Sequence, residues 1–259
     1  MSVPLFDALE EVSARVRAAP HLLLFADFDG ALAPVYDNPA AATLSAEVRP
    51  LLCTLARSGK ATVIVVSGRS AADLRGRADL AEVIVAGNHG LEIAGPGFEH
   101  VDPAVAQSAP AVAQLAAALG RTLDGIPGAF VEEKGLSVAV HYRHVAPELH
   151  EAVRNAIHGV LSNSSHPFVL TSGRLVYDLR PRVYWDKGTL VKWVAQYVGQ
   201  PDALVVVVGG DATDEEAFHA LPDGITVRVG PGPETAARYH LDGPDGVKKF
   251  LAWLRDEVK

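Results

Sequence analysis

Leu22-Leu23-Leu24-Phe25-Ala26-Asp27-Phe28-Asp29-Gly30 is the stretch on which the fold turns. Five consecutive apolar residues stop abruptly at an aspartate, with no polar residue alternating among them. A strand of that texture is covered on both faces, as in a parallel sheet flanked by helices. Upstream, Leu5, Leu9, Val12 and Val16 recur at helical spacing, which predicts an amphipathic helix over 4–18. Downstream, Ser45 as N-cap and Gly59 as the residue beyond the C-terminus bracket a helix. A second buried strand, Thr62 to Val66, ends in Ser67-Gly68-Arg69, and a short helix starts near Ser70. A third, Val83 to Ala86, ends in Gly87-Asn88-His89-Gly90. The same texture returns late in the chain: helix 187–198, strand 204–208, helix 213–220, strand 225–229 and helix 246–256. Alternating strands and helices imply a parallel sheet with crossover connections.

Between these blocks the texture changes. Residues 103–120 are Ala-rich and helical. From Leu136 to Arg143 the residues alternate, with Leu136, Val138, Val140 and Tyr142 on one face and Ser137, Ala139, His141 and Arg143 on the other. A strand with one polar face belongs to an antiparallel sheet. A helix over 147–161 and strands at 168–170 and 175–179 complete a β-α-β-β reading. The expected architecture is an α/β, Rossmann-like parallel-sheet core, residues 1–96 and 181–259, with an α+β domain inserted at 97–180. Gly95, Pro96, Gly97 and Pro181 make the two crossings plausible hinges.

Composition narrows the function classes. The 259 residues carry 23 Lys and Arg against 31 Asp and Glu, a formal charge of −8 that argues against a nucleic-acid or anionic-membrane surface. Hydrophobic residues make up 49%, enough for a packed core rather than a disordered chain. Cys53 alone can form neither an internal disulfide nor a thiolate zinc site. Asp7, Glu10 and Glu11 interrupt the first twenty residues, and the longest apolar run, Ala203 to Val208, is far short of a membrane span. These features lead us to expect a cytoplasmic protein with no nucleic-acid or membrane partner; separately from them, a monomer is expected.

The chemistry lies in the residues just beyond each buried strand. Ligands of open α/β sheets bind outside the carboxyl ends of the strands. Asp27-Phe28-Asp29-Gly30, Ser67-Gly68-Arg69 and Gly209-Gly210-Asp211-Ala212-Thr213-Asp214-Glu215 all fall there. Taken singly, each also makes ordinary structure: Asp-Gly is a turn, Ser70 caps a helix, and Thr213 with Glu216 forms a capping box. Lys187 is harder to dismiss, because a lysine in a helix's first turn opposes the macrodipole and Asp186 already supplies a cap. Together, a carboxylate pair, a hydroxyl, a lysine and a second acidic cluster suit metal-assisted phosphoryl transfer through an aspartyl-phosphate. So many acids around an anionic substrate call for a hard divalent cation, Mg²⁺.

These four clusters resemble the motifs of the haloacid-dehalogenase-like phosphatase superfamily. More narrowly, nearly the whole chain is similar to the trehalose-6-phosphate phosphatase family. Supporting stretches are Gly87-Asn88-His89-Gly90-Leu91-Glu92, Glu132-Glu133-Lys134-Gly135, Val140-His141-Tyr142-Arg143, Leu179-Arg180-Pro181, Asp186-Lys187-Gly188 and Ala237-Arg238-Tyr239. The resemblance implies Mg²⁺-dependent hydrolysis of trehalose 6-phosphate. In it, Asp27 is nucleophile and metal ligand. Asp29 is general acid and base, with its backbone carbonyl on the metal, and Asp211 or Asp214 completes the metal site. Ser67, Gly68 and Lys187 hold the phosphate. Arg69, Asn88 and His89 line the cleft, and Glu132, Lys134 and Asp178 of the cap-like insert bind sugar hydroxyls.

Two departures from the family pattern stand out. Ala31 replaces the usual threonine of the first motif, and Gly210 replaces the first acid of Gly-Asp-Asp-x-Thr-Asp-Glu, the usual metal ligand. They leave open a sugar-phosphate-binding protein with weakened catalysis. A phosphatase for sucrose phosphate, or for mannosyl- or glucosyl-phosphoglycerate, is the other alternative, because the insert rather than the core selects the sugar.

Overall fold

The computed structural model describes residues 2–36, 41–78, 80–173, 175–230 and 234–259. In chain order the elements begin β1 (Val3–Pro4), α1 (Leu9–Ala18), β2 (Leu22–Asp27), α2 (Val48–Arg57), β3 (Ala61–Val66), α3 (Ala71–Ala78), β4 (Ile84–Gly87), β5 (Glu92–Gly95) and β6 (Phe98–Val101). Then come α4 (Pro103–Gln107), α5 (Ala109–Leu123), β7 (Phe130–Glu133), β8 (Val138–His141), α6 (His150–Ser162), β9 (Phe168–Ser172) and β10 (Val176–Pro181). The chain closes with α7 (Lys187–Tyr197), β11 (Leu204–Gly209), α8 (Ala212–Ala220), β12 (Ile225–Val229), β13 (Tyr239–Leu241) and α9 (Pro244–Glu257). Two compact units result: residues 1–100 with 185–259, and residues 101–184.

The first unit is built on a nine-stranded sheet of order β1-β13-β12-β11-β2-β3-β4-β5-β6. The apolar run of β2 is buried at every position because helices cover both faces. Leu22, Leu24 and Ala26 join Leu52, Leu55, Phe250 and Leu254 on one side. Leu23 and Phe25 join Leu190, Val194 and Phe218 on the other. From β2 the chain steps to β3 and β4 in one direction, and from β11 to β12 and β13 in the other. The strand order therefore reverses between β2 and β11, where the loops leaving them diverge and open a crevice. Parallel register sets Val208 beside Ala26 and Asp27 beside Val66, so the segments after β2, β3 and β11 emerge at one level.

The second unit stacks α5 and α6 on an antiparallel sheet of order β7-β8-β10-β9. Its separate apolar cluster includes Val112, Leu119, Val138, Val140, Ile157 and Leu179. Val138 and Val140 belong to this cluster, but Ser137 and Ala139 on the alternate face are also 0% exposed, so the strand is not half-covered as its alternation suggests. Among the described residues no helix is long and apolar enough to cross a membrane.

Several elements differ from the sequence reading. Residues 3–18 form a short strand, a 3₁₀ turn over Leu5–Ala8 and only then α1, because Val3 donates its N–H to Arg238 in a parallel edge pairing with β13. The Ala-rich helix is two helices, broken at Ser108, whose hydroxyl donates back to the Ala104 carbonyl. The insert runs helix-helix-strand-strand-helix-strand-strand rather than β-α-β-β. The hairpin arm β5 and the strands β6 and β7 are too short for periodicity to reveal. The chain reaches β5 through Asn88 and His89, both at positive φ (49° and 58°). The cap of α8 is Asp211, not Thr213: its carboxylate accepts from the Thr213 and Asp214 N–H groups, and Asp214 reciprocates to the Asp211 N–H. The box therefore pairs 211 with 214 instead of 213 with 216.

Candidate active site

Asp27 is the last residue of β2, and it is 5% exposed. The chain does not stay extended beyond it. Leu32 donates its N–H to the Asp27 carbonyl and Ala33 to the Phe28 carbonyl, with Gly30 at φ +94°, so the segment closes into a tight loop. Residues two apart point the same way only while the chain stays extended, so this loop separates Asp27 from Asp29. Asp27 faces Lys187, whereas Asp29 turns to Ser67 and Arg69.

Lys187 is the first residue of α7. Asp186 caps that helix by accepting from the Thr189 N–H at 2.7 Å and the Thr189 hydroxyl at 2.9 Å. The lysine is 3% exposed and sits among three carboxylates: Nζ lies 2.5 Å from Asp214 Oδ1, 3.5 Å from Asp27 Oδ1 and 3.6 Å from Asp211 Oδ1. This answers why a cation opens the helix against its dipole: the acids at the end of β2 and at the start of α8 outweigh it. Gly209 makes room for the cluster, since a Cβ there would lie 2.2 Å from Asp214 Oδ2. Gly210 is confined differently, as a Cβ would come within 2.4 Å of the Val229 carbonyl oxygen.

The titration behaviour stems from burial and crowding. Burial, then the charge of Asp214, holds the Asp27 carboxyl well above the usual range despite Lys187. Burial and the Asp211 charge push Asp214 up to about 6. Asp211 is pulled down: burial acts against ionisation, but Lys187 and the hydrogen bonds of the cap prevail. Burial would lower Lys187, yet its three acidic neighbours raise it above its ordinary value, so it stays charged. One carboxylate oxygen from each of Asp27, Asp211 and Asp214 lies within 4.8 Å of the others. Once all three acids ionise, three carboxylates against one ammonium leave two negative charges uncompensated, and the raised Asp27 and Asp214 carboxyls reflect that excess. An all-oxygen donor set with that residual charge fits a hard divalent cation.

Ser67 comes directly after β3. Its hydroxyl accepts from the Arg69 N–H at 3.1 Å and donates to Asp29 Oδ2 at 3.3 Å. Gly68 lies against the His89 ring: a Cβ there would meet Nε2 at 2.7 Å. Arg69 grips Asp29 through Nε at 2.9 Å and Nη2 at 2.8 Å. Asn88 is fully buried and donates its amide to Glu92 Oε1 at 2.6 Å; the same oxygen accepts from the Ala71 N–H. Its visible work is to fix the loop after β4. Ala31 is 1% exposed and belongs to an apolar cluster.

In the second unit, register aligns Glu132, Ala139 and Asp178 across β7, β8 and β10, so the two acids share a sheet face. Lys134 bridges to Asp178 at 2.9 Å, and His141 pairs with Glu132 at 2.8 Å. Sequence reasoning missed Asp73 and Glu92 as partners of site residues. Asp73 carried a signal, lying four residues after Arg69 at the start of α3. Glu92 stands in the 87–92 stretch that supports the family resemblance, but nothing in that stretch marks its pairing with Asn88, because the left-handed turn that brings it back has no periodic signature.

A mostly parallel core interrupted by a separate α+β unit is the haloacid-dehalogenase-like fold, here with carboxylates and a buried lysine at the switch point. A family model described as trehalose-phosphatase matches residues 25–245, and the chain belongs to that family. A trehalose-phosphate phosphatase of Mycobacterium marinum is 35% identical over 248 residues, covering 92% of this chain and 63% of the relative. An uncharacterized glycosyl hydrolase of Mycobacterium tuberculosis is 37% identical over 270 residues, covering 98% of this chain and 20% of the relative. The chain thus spans less than two-thirds of the length of these curated relatives. The C-terminal domain of a Candida albicans trehalose-6-phosphate phosphatase superposes with a TM-score of 0.85 at 22% identity, covering 99% of this chain and 98% of that one.

Proposed function

We propose that this protein hydrolyses trehalose 6-phosphate to trehalose and inorganic phosphate through an aspartyl-phosphate on Asp27. The observation that carries the reading is the buried Asp27–Lys187–Asp214 group at the β2/β11 switch point, in a chain of the trehalose-phosphatase family. An Asp27 oxygen attacks phosphorus, and the bond from phosphorus to the sugar oxygen breaks. Asp29 gives that departing oxygen its proton. The regenerated Asp29 carboxylate then takes a proton from the water that attacks phosphorus, and the bond to Asp27 breaks. Lys187 and the Ser67 hydroxyl hold phosphoryl oxygens, with Gly68 letting the backbone approach. Arg69 and His89 flank the cleft, Asn88 fixes the loop behind it, and Glu132, Lys134 and Asp178 bind sugar hydroxyls.

Asp27, Asp211 and Asp214, with the Asp29 carbonyl, would hold Mg²⁺. When bound, the ion supplies charge neutralisation for the phosphoryl oxygens. The cytoplasm, a monomeric state and a small-molecule partner in place of nucleic acid or membrane complete the proposal.

The test is phosphate release from a panel of sugar phosphates with Mg²⁺ or with chelator. Trehalose 6-phosphate should be the preferred substrate, with release abolished by chelator and by Asp27→Asn. Preference for sucrose phosphate or a glycosyl-phosphoglycerate would reassign the substrate. Calorimetric binding without turnover would favour the weakened-catalysis alternative that Gly210 raises.

A further inference from the structure

The Asp29 carboxylate is clamped at both oxygens. Arg69 donates from Nε to Oδ2 and from Nη2 to Oδ1, at 2.9 and 2.8 Å, and the Ser67 hydroxyl adds a third contact at 3.3 Å. Arg69 is itself fixed. Its Nη1 reaches Asp73 Oδ2 at 3.3 Å, and its guanidinium carbon lies 5.6 Å from the Phe28 ring centroid. Asp73 in turn accepts from Arg77 at 2.8 Å. The Arg69 side chain is only 13% exposed. A planar two-point fork fixes both the position and the plane of a carboxylate, which a lysine's single point charge cannot do. Asp29 needs such a fixture, since the loop after Asp27 carries it away from the β2 strand. A carboxyl group that gives a proton to the departing sugar oxygen and then, as carboxylate, takes one from water must meet a proton acceptor and a proton donor in turn, and small misplacement there is costly.

We propose that Arg69 is a positioning residue that works through Asp29, holding its carboxylate in register for both proton transfers, rather than a ligand of the substrate phosphate. The inference rests on the phosphatase reading above. The two roles separate by leaving group. A sugar oxygen needs the Asp29 proton to depart; 2,4-dinitrophenolate leaves as an anion and does not. They separate again in a double-mutant cycle, because a residue that acts only through Asp29 has nothing to contribute once Asp29 is gone.

The experiment compares wild type with Arg69→Met, Arg69→Lys, Asp29→Asn and the Asp29→Asn/Arg69→Met pair, on trehalose 6-phosphate and 2,4-dinitrophenyl phosphate with Mg²⁺. Arg69→Met should lower kcat for the sugar phosphate by about 10- to 100-fold. KM should stay nearly constant, and so should the first-turnover burst of dinitrophenolate. Arg69→Lys should recover only part of the loss, and Arg69→Met should change little in the Asp29→Asn background. An increase in KM on both substrates, or an Arg69 effect that persists without Asp29, would make Arg69 a phosphate ligand and overturn the proposal alone. If Arg69→Met does not melt cooperatively, Arg69→Gln is carried through the same cycle. Turnover of neither ester by wild type would overturn the phosphatase reading, and this proposal with it.

Discussion

Glycine 210 shows how much one position depends on its neighbours. The family pattern has an acid there, and restoring one looks like a simple gain of a metal ligand. The Cβ of any side chain at 210 would lie 2.4 Å from the Val229 carbonyl oxygen, so the end of β12 must shift first. Overpacking of this kind typically costs about 1–3 kcal/mol. Gly210→Asp should therefore lower stability by that order in urea denaturation; an unchanged midpoint would show that the strand end yields freely. The Asp73 carboxyl makes a pH prediction at the same scale. Burial acts to raise it, but its hydrogen bonds and ion pairs with Arg77 and Arg69 hold it below its ordinary value. A carboxyl depressed in the folded state adds stability that is present above its unfolded value and lost as pH falls through the folded one. The melting-temperature gap between wild type and Asp73→Asn should accordingly shrink as pH is taken from 6 down to below about 4. A gap that is constant across that range would mean the ion pairs add nothing.

At the scale of elements, α7 and α8 turn ordinary helix-start chemistry into a site. Asp186 caps α7 and so sets where Lys187 stands; Asp211 and Asp214 cap α8 while facing that lysine. Removing a side-chain cap costs about 0.5–2 kcal/mol. Asp186→Ala should lose stability in that range and also reduce phosphate release, since the start of α7 frays beneath Lys187. Full activity with the stability loss would show that the acids alone hold the lysine in place. The sequence reading recognised every piece of this arrangement but assigned the α8 cap to Thr213. Either residue suits the role by type, and only the direction of the backbone after β11 selects Asp211.

Across the whole molecule, each unit has its own apolar cluster, so each has its own source of cooperativity. Leu119 is fully buried in the second unit. Leu119→Ala should cost that unit about 2–5 kcal/mol. Hydrogen exchange should then quicken across α5, α6 and β8 while the β2 and β11 amides stay protected. Uniform loss of protection throughout the chain would show that the units open together.

The sequence by itself determined the buried-strand texture, the alternation of strands and helices, and the acids, hydroxyl and lysine at their ends. Those features are local: burial on two faces demands an unbroken apolar run, and the end of such a run is written in the residue that breaks it. The resemblance carried by the motifs extended the reading to trehalose phosphate. Tertiary structure alone decided which groups meet. Asp27 and Asp29 lie two residues apart yet take different partners, because the chain closes into a loop at Gly30 instead of continuing as a strand. Lys187 and Asp27 are separated by 160 residues and meet because β2 and β11 are neighbours at the reversal of strand order. Asn88, at positive φ, is drawn to Glu92 by a turn with no repeating pattern to betray it. Contacts of this kind depend on strand order and loop direction, which no local window of sequence encodes.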